Sequence, residues 1–304
     1  MTNTLNRIGS VNLLNSTLQD VTSVQEQLAT LQTQISSGNV AQTFQGLNGN
    51  VENYSELDAR LNRTDQFTTS NDSTISSLQT ADETMSQMED IVSNMTTLIQ
   101  SRLNTATGQS MPFNQEMSDA LTSLSTLMNT QYDGRYIFAG TASQTAPVPD
   151  STVKPTTAGV PDTNYYAGSG QSMKLRIDDG VEIDYPVRAD DPAFQQIFAA
   201  AQQALDAAKN NDTAGLNASL TLMQQGQQGL ISARATVNAV TVNVQDTNTR
   251  LGQLKTYWQG LSDKVSKTDI VAASTQVASY EAILQATFQV YSRLSQLKLS
   301  DYLR

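Results

Sequence analysis

Histidine and cysteine are both missing from the 304 residues, so the chemistry open to this chain is that of carboxylates, hydroxyls, amines and guanidiniums. Ser-His-Asp triads, cysteine nucleophiles, disulfides and Cys/His zinc sites are excluded by composition alone. Paired carboxylates remain, and two of them can do acid–base work without histidine. The adjacent pairs are Asp82/Glu83, Glu89/Asp90, Asp178/Asp179 and Asp190/Asp191. The first two flank a helical stripe through Met85 and Met88 and read as its solvated face. Asp179 suits a turn and Asp191 a helix cap. Asp178-Asp179-Gly180 with Glu182 and Asp184 is rich enough in oxygen for calcium. It lacks the alternating Asp-x-Asp-x-Asp-Gly order and the later glutamate of a calcium loop. Gly168-Ser169-Gly170 has neither a third glycine nor a helix to serve, and no Gly-x-x-x-x-Gly-Lys-Ser/Thr occurs. The expectation is no catalytic, cofactor-binding or metal-binding residue and no enzyme. A carboxylate hydrolase, or a surface- or glycan-binding module, is the remote alternative.

The charge balance narrows the partners. Lys and Arg number 18 against 29 Asp and Glu, giving a net charge of −11. Without a basic stripe, such a chain suits neither phosphate backbones nor anionic membranes, so no nucleic acid and no membrane insertion are expected. Nowhere do 18 apolar residues run together. The first twenty residues hold one arginine, Arg7, and no apolar core of a cleaved signal, so the plain reading is cytoplasmic, and a protein exported by a route other than general secretion would look the same. Charged residues are only 15% of the chain, so surface ion pairs contribute little and stable structure depends on strict apolar patterning.

Patterning is where the chain is most informative. All seven prolines lie between Pro112 and Pro192, which leaves two ends of about 111 residues free to form very long helices. Leu14, Val21, Leu28 and Ile35 recur every seven residues near the start, with Val24 and Leu31 between them. Leu78, Met85, Val92 and Ile99 repeat the spacing, interleaved by Ala81, Met88 and Met95. Met117, Leu121, Leu124 and Met128 make a shorter stripe. Asp191-Pro192 reads as an N-cap and first helical residue, opening a helix through Ile197, Ala201 and Leu205. From an Asp212 cap, a stripe of Leu216, Leu220, Met223, Leu230, Val237, Val240, Val244, Leu251, Leu254, Trp258, Leu261 and Val265 predicts a helix of about 54 residues, roughly 80 Å long. Trp258 reads as core. Gly226, Gly229, Gly252 and Gly260 are expected to weaken or kink it. A last stripe has Val277, Leu284 and Tyr291 at sevens, widened by Tyr280, Ile283, Val290, Leu294 and Leu297. Sustained stripes of this kind indicate coiled-coil or bundle packing.

The middle differs. Ala142 to Asn164 is rich in Pro, Thr, Ser and Ala and reads as loop. Residues 173–177 and 181–187 alternate apolar and polar about Asp179-Gly180, a strong hairpin signal. The fold class is therefore mainly α with a small β insert. An ordinary bundle would satisfy the spacing equally well. Two features favour assembly: the stripes at opposite chain ends can pair, and their apolar faces are wide enough to need other chains to cover them.

Three stretches carry a family resemblance. Gln27-Leu-Ala-Thr-Leu-Gln-Thr-Gln-Ile-Ser-Ser-Gly38 resembles the N-terminal signature of the bacterial flagellin family. Asn129 to Thr141, with Tyr132-Asp-Gly-Arg-Tyr-Ile-Phe-Ala-Gly140, looks like the segment after that family's central helices. Tyr280 to Leu303 is similar to its C-terminal helix. Tyr136–Gly140 and the Leu-Ser-Asp-Tyr-Leu ending lie closer to members at the hook–filament junction than to flagellin itself. After Gly38, Asn39-Val-Ala-Gln-Thr-Phe44 replaces the acidic pair found in many relatives.

The resemblance implies long antiparallel coiled-coil-like helices from both chain ends and a central β-rich outer domain. It divides the chain into a terminal helical domain (1–45 with 266–304), a long-helix bundle (46–140 with 190–265) and an outer insert (141–189). It implies export through the flagellar type III channel and assembly without catalysis or cofactors. The implied partners are copies of the chain in a ring, a hook-associated adapter, flagellin and an export chaperone. Leu14, Val21, Leu28, Ile35, Val277, Leu284, Tyr291 and Leu294 are the expected assembly surface, with Leu284, Tyr291 and Leu294 also held by the chaperone. A flagellin, the bulk filament subunit, is the alternative within the family.

Overall fold

The computed structural model describes residues 2–104, 111–150 and 155–302, with the side chains of 2–14, 44, 48 and 294–302 left aside. Helix α1 (Thr2–Ser37) and a 3₁₀ turn (Phe44–Asn50) precede α2 (Val51–Leu103) and α3 (Phe113–Met128). Two hairpins follow, β1 (Gln131–Tyr132) with β2 (Arg135–Tyr136), and β3 (Lys174–Asp178) with β4 (Val181–Asp184). The chain ends with α4 (Pro192–Lys209), α5 (Thr213–Ser266) and α6 (Ile270–Tyr302). It divides into a terminal unit, residues 1–63 with 255–304, and a central unit, residues 64–254.

The heptads build the central unit. Leu78, Met85, Val92 and Ile99 of α2 are fully buried, as are Met88 and Met95 of the interleaved row. Leu216, Met223, Leu230, Val237, Val244 and Leu251 of α5, every seventh residue, are all buried too. Met117, Leu124 and Met128 of α3 and Phe194, Ile197 and Phe198 of α4 join the same core. Val148, Tyr165, Ile177, Tyr185 and Val187, all from residues 141–189, also belong to it. Tyr165 stacks on Phe198 with ring centroids 4.2 Å apart and donates its hydroxyl to the Ala189 carbonyl.

Local signals place the elements that feed this core. Asp191 caps α4, accepting the Ala193 N–H at 2.9 Å ahead of Pro192. Asp212 accepts the Ala214 N–H at 3.0 Å and starts α5, which then runs for 54 residues. The Asp179-Gly180 turn joins β3 to β4, with Gly180 at φ +72°.

Several expectations change. Helix α2 begins 27 residues before the Leu78 stripe, at Val51, because its heptad row continues upstream in polar residues. Thr64 and Asn71 hold the same register as Leu78, and Asn71, 1% exposed, donates Nδ2 to the Ile177 carbonyl at 2.9 Å. The glycines of α5 do not interrupt it. Gly226 and Gly229 are where α4 crosses closely: a Cβ on Gly226 would sit 2.6 Å from Ile197 Cγ1, and one on Gly229 would sit 2.8 Å from Ala193 Cβ. Asp133-Gly134 turns a second hairpin, both residues at positive φ as a type I′ turn requires.

The carboxylates Asp82 and Glu89 are also not a simple solvated face. Arg234 of α5 donates Nε to Asp82 Oδ1 at 2.8 Å and Nη1 to Glu89 Oε2 at 3.1 Å. Asn238 adds a bond to Asp82 at 3.0 Å. The Arg234 hydrogen bond is the main cause holding the Asp82 carboxyl below its ordinary range. Glu83 and Asp90, on the outer side, are exposed as expected.

Candidate functional site

Helices α1 and α6 make the terminal unit's main contact, and they run antiparallel, since the end of α1 lies beside the start of α6. Gly38 ends α1. Its φ of +71° and its N–H bond to the Gln34 carbonyl at 2.8 Å form a left-handed cap. The next residues leave as a short extended segment. Val40 N–H donates to the Ser266 carbonyl at 2.8 Å, and Thr268 N–H to the Gly38 carbonyl at 3.0 Å. Gln34 Nε2 closes the corner on the Val40 carbonyl at 2.7 Å. Asp269 then caps α6, its Oδ1 accepting the N–H groups of Val271 and Ala272, each at 3.0 Å. Main-chain bonds need no particular side chain, so Asn39-Val40 serves here.

Along the helix pair the apolar stripes divide into two classes. Val21, Leu28 and Ile35 of α1 are half-buried, as are Val277 and Leu284 of α6. Residues 283 and 290, about 100° around the helix from 284, are bare: Ile283 is 45% exposed and Val290 53%. Phe288 at 53% and Tyr291 at 38% share that exposure. Tyr291, seven residues after Leu284, continues the seam stripe and is more open there than Leu284. Leu14 and Leu294 have their backbones in α1 and α6, and their side chains lie outside the described residues. Among the described residues of the terminal unit, Leu47 and Ala273 alone are buried apolar side chains. Two helices cover one stripe each and cannot enclose a core between them.

Trp258, expected in the core, is half-buried. Arg60 lies 5.0 Å above its ring and Tyr257 meets it edge-on at 4.9 Å. These groups hold α2 to α5 within the terminal unit. They show no sequence periodicity beyond Trp258 itself.

The remaining carboxylate pairs are committed elsewhere. Asp190 takes a two-pronged ion pair from Arg188 at 2.7 and 3.1 Å. Asp178 is held by Arg250, and Asp179 by Arg176 at 2.8 Å. Among the described residues no group of three or more acidic side chains converges as metal ligands would, and no helix is long and apolar enough to cross a membrane.

Residues 8–143 match the bacterial flagellin N-terminal helical region. Solved structures share the fold. FlgL of Bacillus cereus is 20% identical with a TM-score of 0.53, the alignment covering 67% of this chain and 96% of that one. A Vibrio parahaemolyticus protein assigned to the flagellar hook-associated proteins is 16% identical with a TM-score of 0.58, covering 70% and 96%. FlgL of Xanthomonas campestris is 12% identical with a TM-score of 0.52, covering 69% and 99%. No curated protein sequence matches the chain. Residues 8–143 are thus similar to the bacterial flagellin N-terminal helical region, and the mainly α fold is shared with FlgL structures.

Proposed function

We propose that the chain is a structural subunit of the bacterial flagellum at the junction between hook and filament, with no catalytic role. The observation that carries this reading is the terminal helix pair: half-buried at Leu28 and Leu284, bare at Ile283, Phe288, Val290 and Tyr291, and without an enclosed core. Such a pair gains its missing burial from neighbouring copies. Each fully covered Leu, Ile, Val or Phe contributes about 1.5–3 kcal/mol, enough to drive assembly when repeated. Copies related head to tail form a heterologous interface that propagates around a ring or along a helix. The likeness to FlgL structures and to a hook-associated protein supports the junction over other positions.

In this reading residues 1–45 with 266–304 are the assembling part, 46–140 with 190–265 the long-helix bundle, and 141–189 the outer insert. The contact residues are Leu14, Val21, Leu28, Ile35, Val277, Leu284, Tyr291 and Leu294. Before assembly the protein leaves the cell through the flagellar export channel, with a chaperone covering Leu284, Tyr291 and Leu294. On the appendage its partners are its own copies, a hook-associated adapter and flagellin.

The match to a flagellin region makes the bulk filament subunit the second reading. A deletion strain separates the two. Loss of a junction protein leaves bare hooks while flagellin escapes into the medium. Loss of flagellin leaves bare hooks with no such polymerisable subunit outside. A deletion strain with normal filaments overturns both.

A further inference from the structure

Beyond assembly, the central unit carries a cavity of about 310 Å³ between α2, the β1–β2 hairpin and the segment after β4. That is the small end of the range for ligand sites, about 300–1,000 Å³, and it admits one sugar-sized ring rather than a chain. One wall is a row of hydroxyls at helical spacing: Ser70, Ser73, Thr74 and Ser77 of α2. Ser77 is tied to the Tyr185 hydroxyl at 3.3 Å, and Thr74 donates to the Ser70 carbonyl at 3.0 Å. Among the described residues, the hydroxyls of Ser70 and Ser73 have no partner.

The opposite wall is the hairpin. Tyr132 and Arg135 are direct cross-strand partners, so they share one face of the ribbon, and both line the cavity. Asp133-Gly134 forces this pairing, since both residues take the left-handed conformation at φ +50° and +71°. Neither the Tyr132 hydroxyl nor the Arg135 guanidinium has a partner among the described residues. The other arginine on the rim, Arg188, is spent: Nε and Nη2 are on Asp190, and Nη1 is on Ser172 at 2.8 Å.

The chemistry selects the ligand. Hydroxyls both donate and accept, as the hydroxyls of a polyol require of their partners. An aromatic ring offers an apolar face to sugar C–H groups. Arg135 supplies one two-pronged carboxylate contact, and the Asp133 carboxylate, also on the lining and without a partner among the described residues, stands free to accept from sugar hydroxyls. We propose that this cavity binds an acidic monosaccharide, with Arg135 on its carboxylate, Tyr132 against its ring face, and Ser70 and Ser73 on its hydroxyls.

The test is saturation-transfer NMR and calorimetric titration of the full chain with D-galacturonate, D-galactose and acetate. The expected result is galacturonate binding about tenfold tighter than galactose, the worth of one charge-assisted hydrogen bond, with acetate weakest. Arg135→Gln should erase the preference for galacturonate over galactose. Ser73→Phe, which fills the cavity from the exposed side of α2, should abolish binding of both sugars. Circular dichroism of each variant confirms that the helices persist. Absence of binding by either sugar, acetate binding as tightly as galacturonate, or galacturonate binding unchanged in Arg135→Gln would each overturn the assignment.

Discussion

The close crossing of α4 over α5 makes one substitution act with opposite sign at two glycines of one helix. Replacing an exposed helical glycine by alanine stabilises by about 1 kcal/mol, because alanine restricts the unfolded chain. Gly252 meets nothing within 4 Å of an added Cβ, so Gly252→Ala should deliver that gain. At Gly226 the added Cβ would lie 2.6 Å from Ile197 Cγ1 and 3.1 Å from both the Ala193 carbonyl oxygen and the Ile197 nitrogen. The Ile197 side chain can rotate away, but the two backbone atoms move only if α4 moves. Overpacking of this kind costs about 1–3 kcal/mol, which exceeds the propensity gain. Gly226→Ala should therefore destabilise the central unit by up to about 2 kcal/mol. In a unit of this size each kcal/mol shifts the melting temperature by roughly 2–4 °C, so the two variants should move it in opposite directions. Urea unfolding followed by circular dichroism gives both values, and amide hydrogen exchange at Met223 and Leu230 confines the reading to the central unit. If Gly226→Ala stabilises as much as Gly252→Ala, the close packing of α4 on α5 is refuted.

Other perturbations test separate parts of the structure. Arg234→Met leaves Asp82 and Glu89, 28% and 21% exposed, without their cation. It should cost about 1–3 kcal/mol in urea unfolding at neutral pH. Asp82 is held below its ordinary value of 3.8 in the fold, so its contribution is present above that pH and lost as pH falls through the folded value. The gap between wild type and Arg234→Met should accordingly narrow on acidification. Burial raises Tyr185 from 10.0 to about 12, against the opposing Ser77 hydrogen bond. Stability should hold below pH 10 and fall by about 3 kcal/mol as pH rises towards 12, with a shallower loss in Tyr185→Phe measured by the same unfolding titration. In the terminal unit, Leu28→Asp or Leu284→Asp should abolish incorporation into flagella while hydrogen exchange at Met88 and Leu230 stays native. Normal incorporation of both variants would contradict the assigned surface.

What the sequence makes visible follows from which forces leave a local trace. The rows at Leu78–Ile99 and Leu216–Leu251 stand out because burial acts on every seventh residue, and Asp191-Pro192 and Asp179-Gly180 because caps and turns are local chemistry. The first half of α2 is silent, since Thr64 and Asn71 occupy apolar register with polar side chains and Asn71 is satisfied only by Ile177, 106 residues away. Asp133-Gly134 carries the same dipeptide signal as Asp179-Gly180, but its strands are two residues long, too short to alternate. The Arg234–Asp82 pair spans 152 residues and has no periodicity to announce it. At the candidate surface, both stripes were legible in the spacing of Leu28 and Leu284. The pairing of residues 38–40 with 266–268 was not, because N–H and C=O groups are the same in every residue.

The most direct test of the junction reading is electron microscopy of flagella carrying an epitope tag beside Thr156, an exposed residue of the 141–189 segment. Label confined to a short band where hook meets filament is the predicted result. Label along the whole filament would make the protein a filament subunit, and appendages without label would contradict a place in the flagellum altogether.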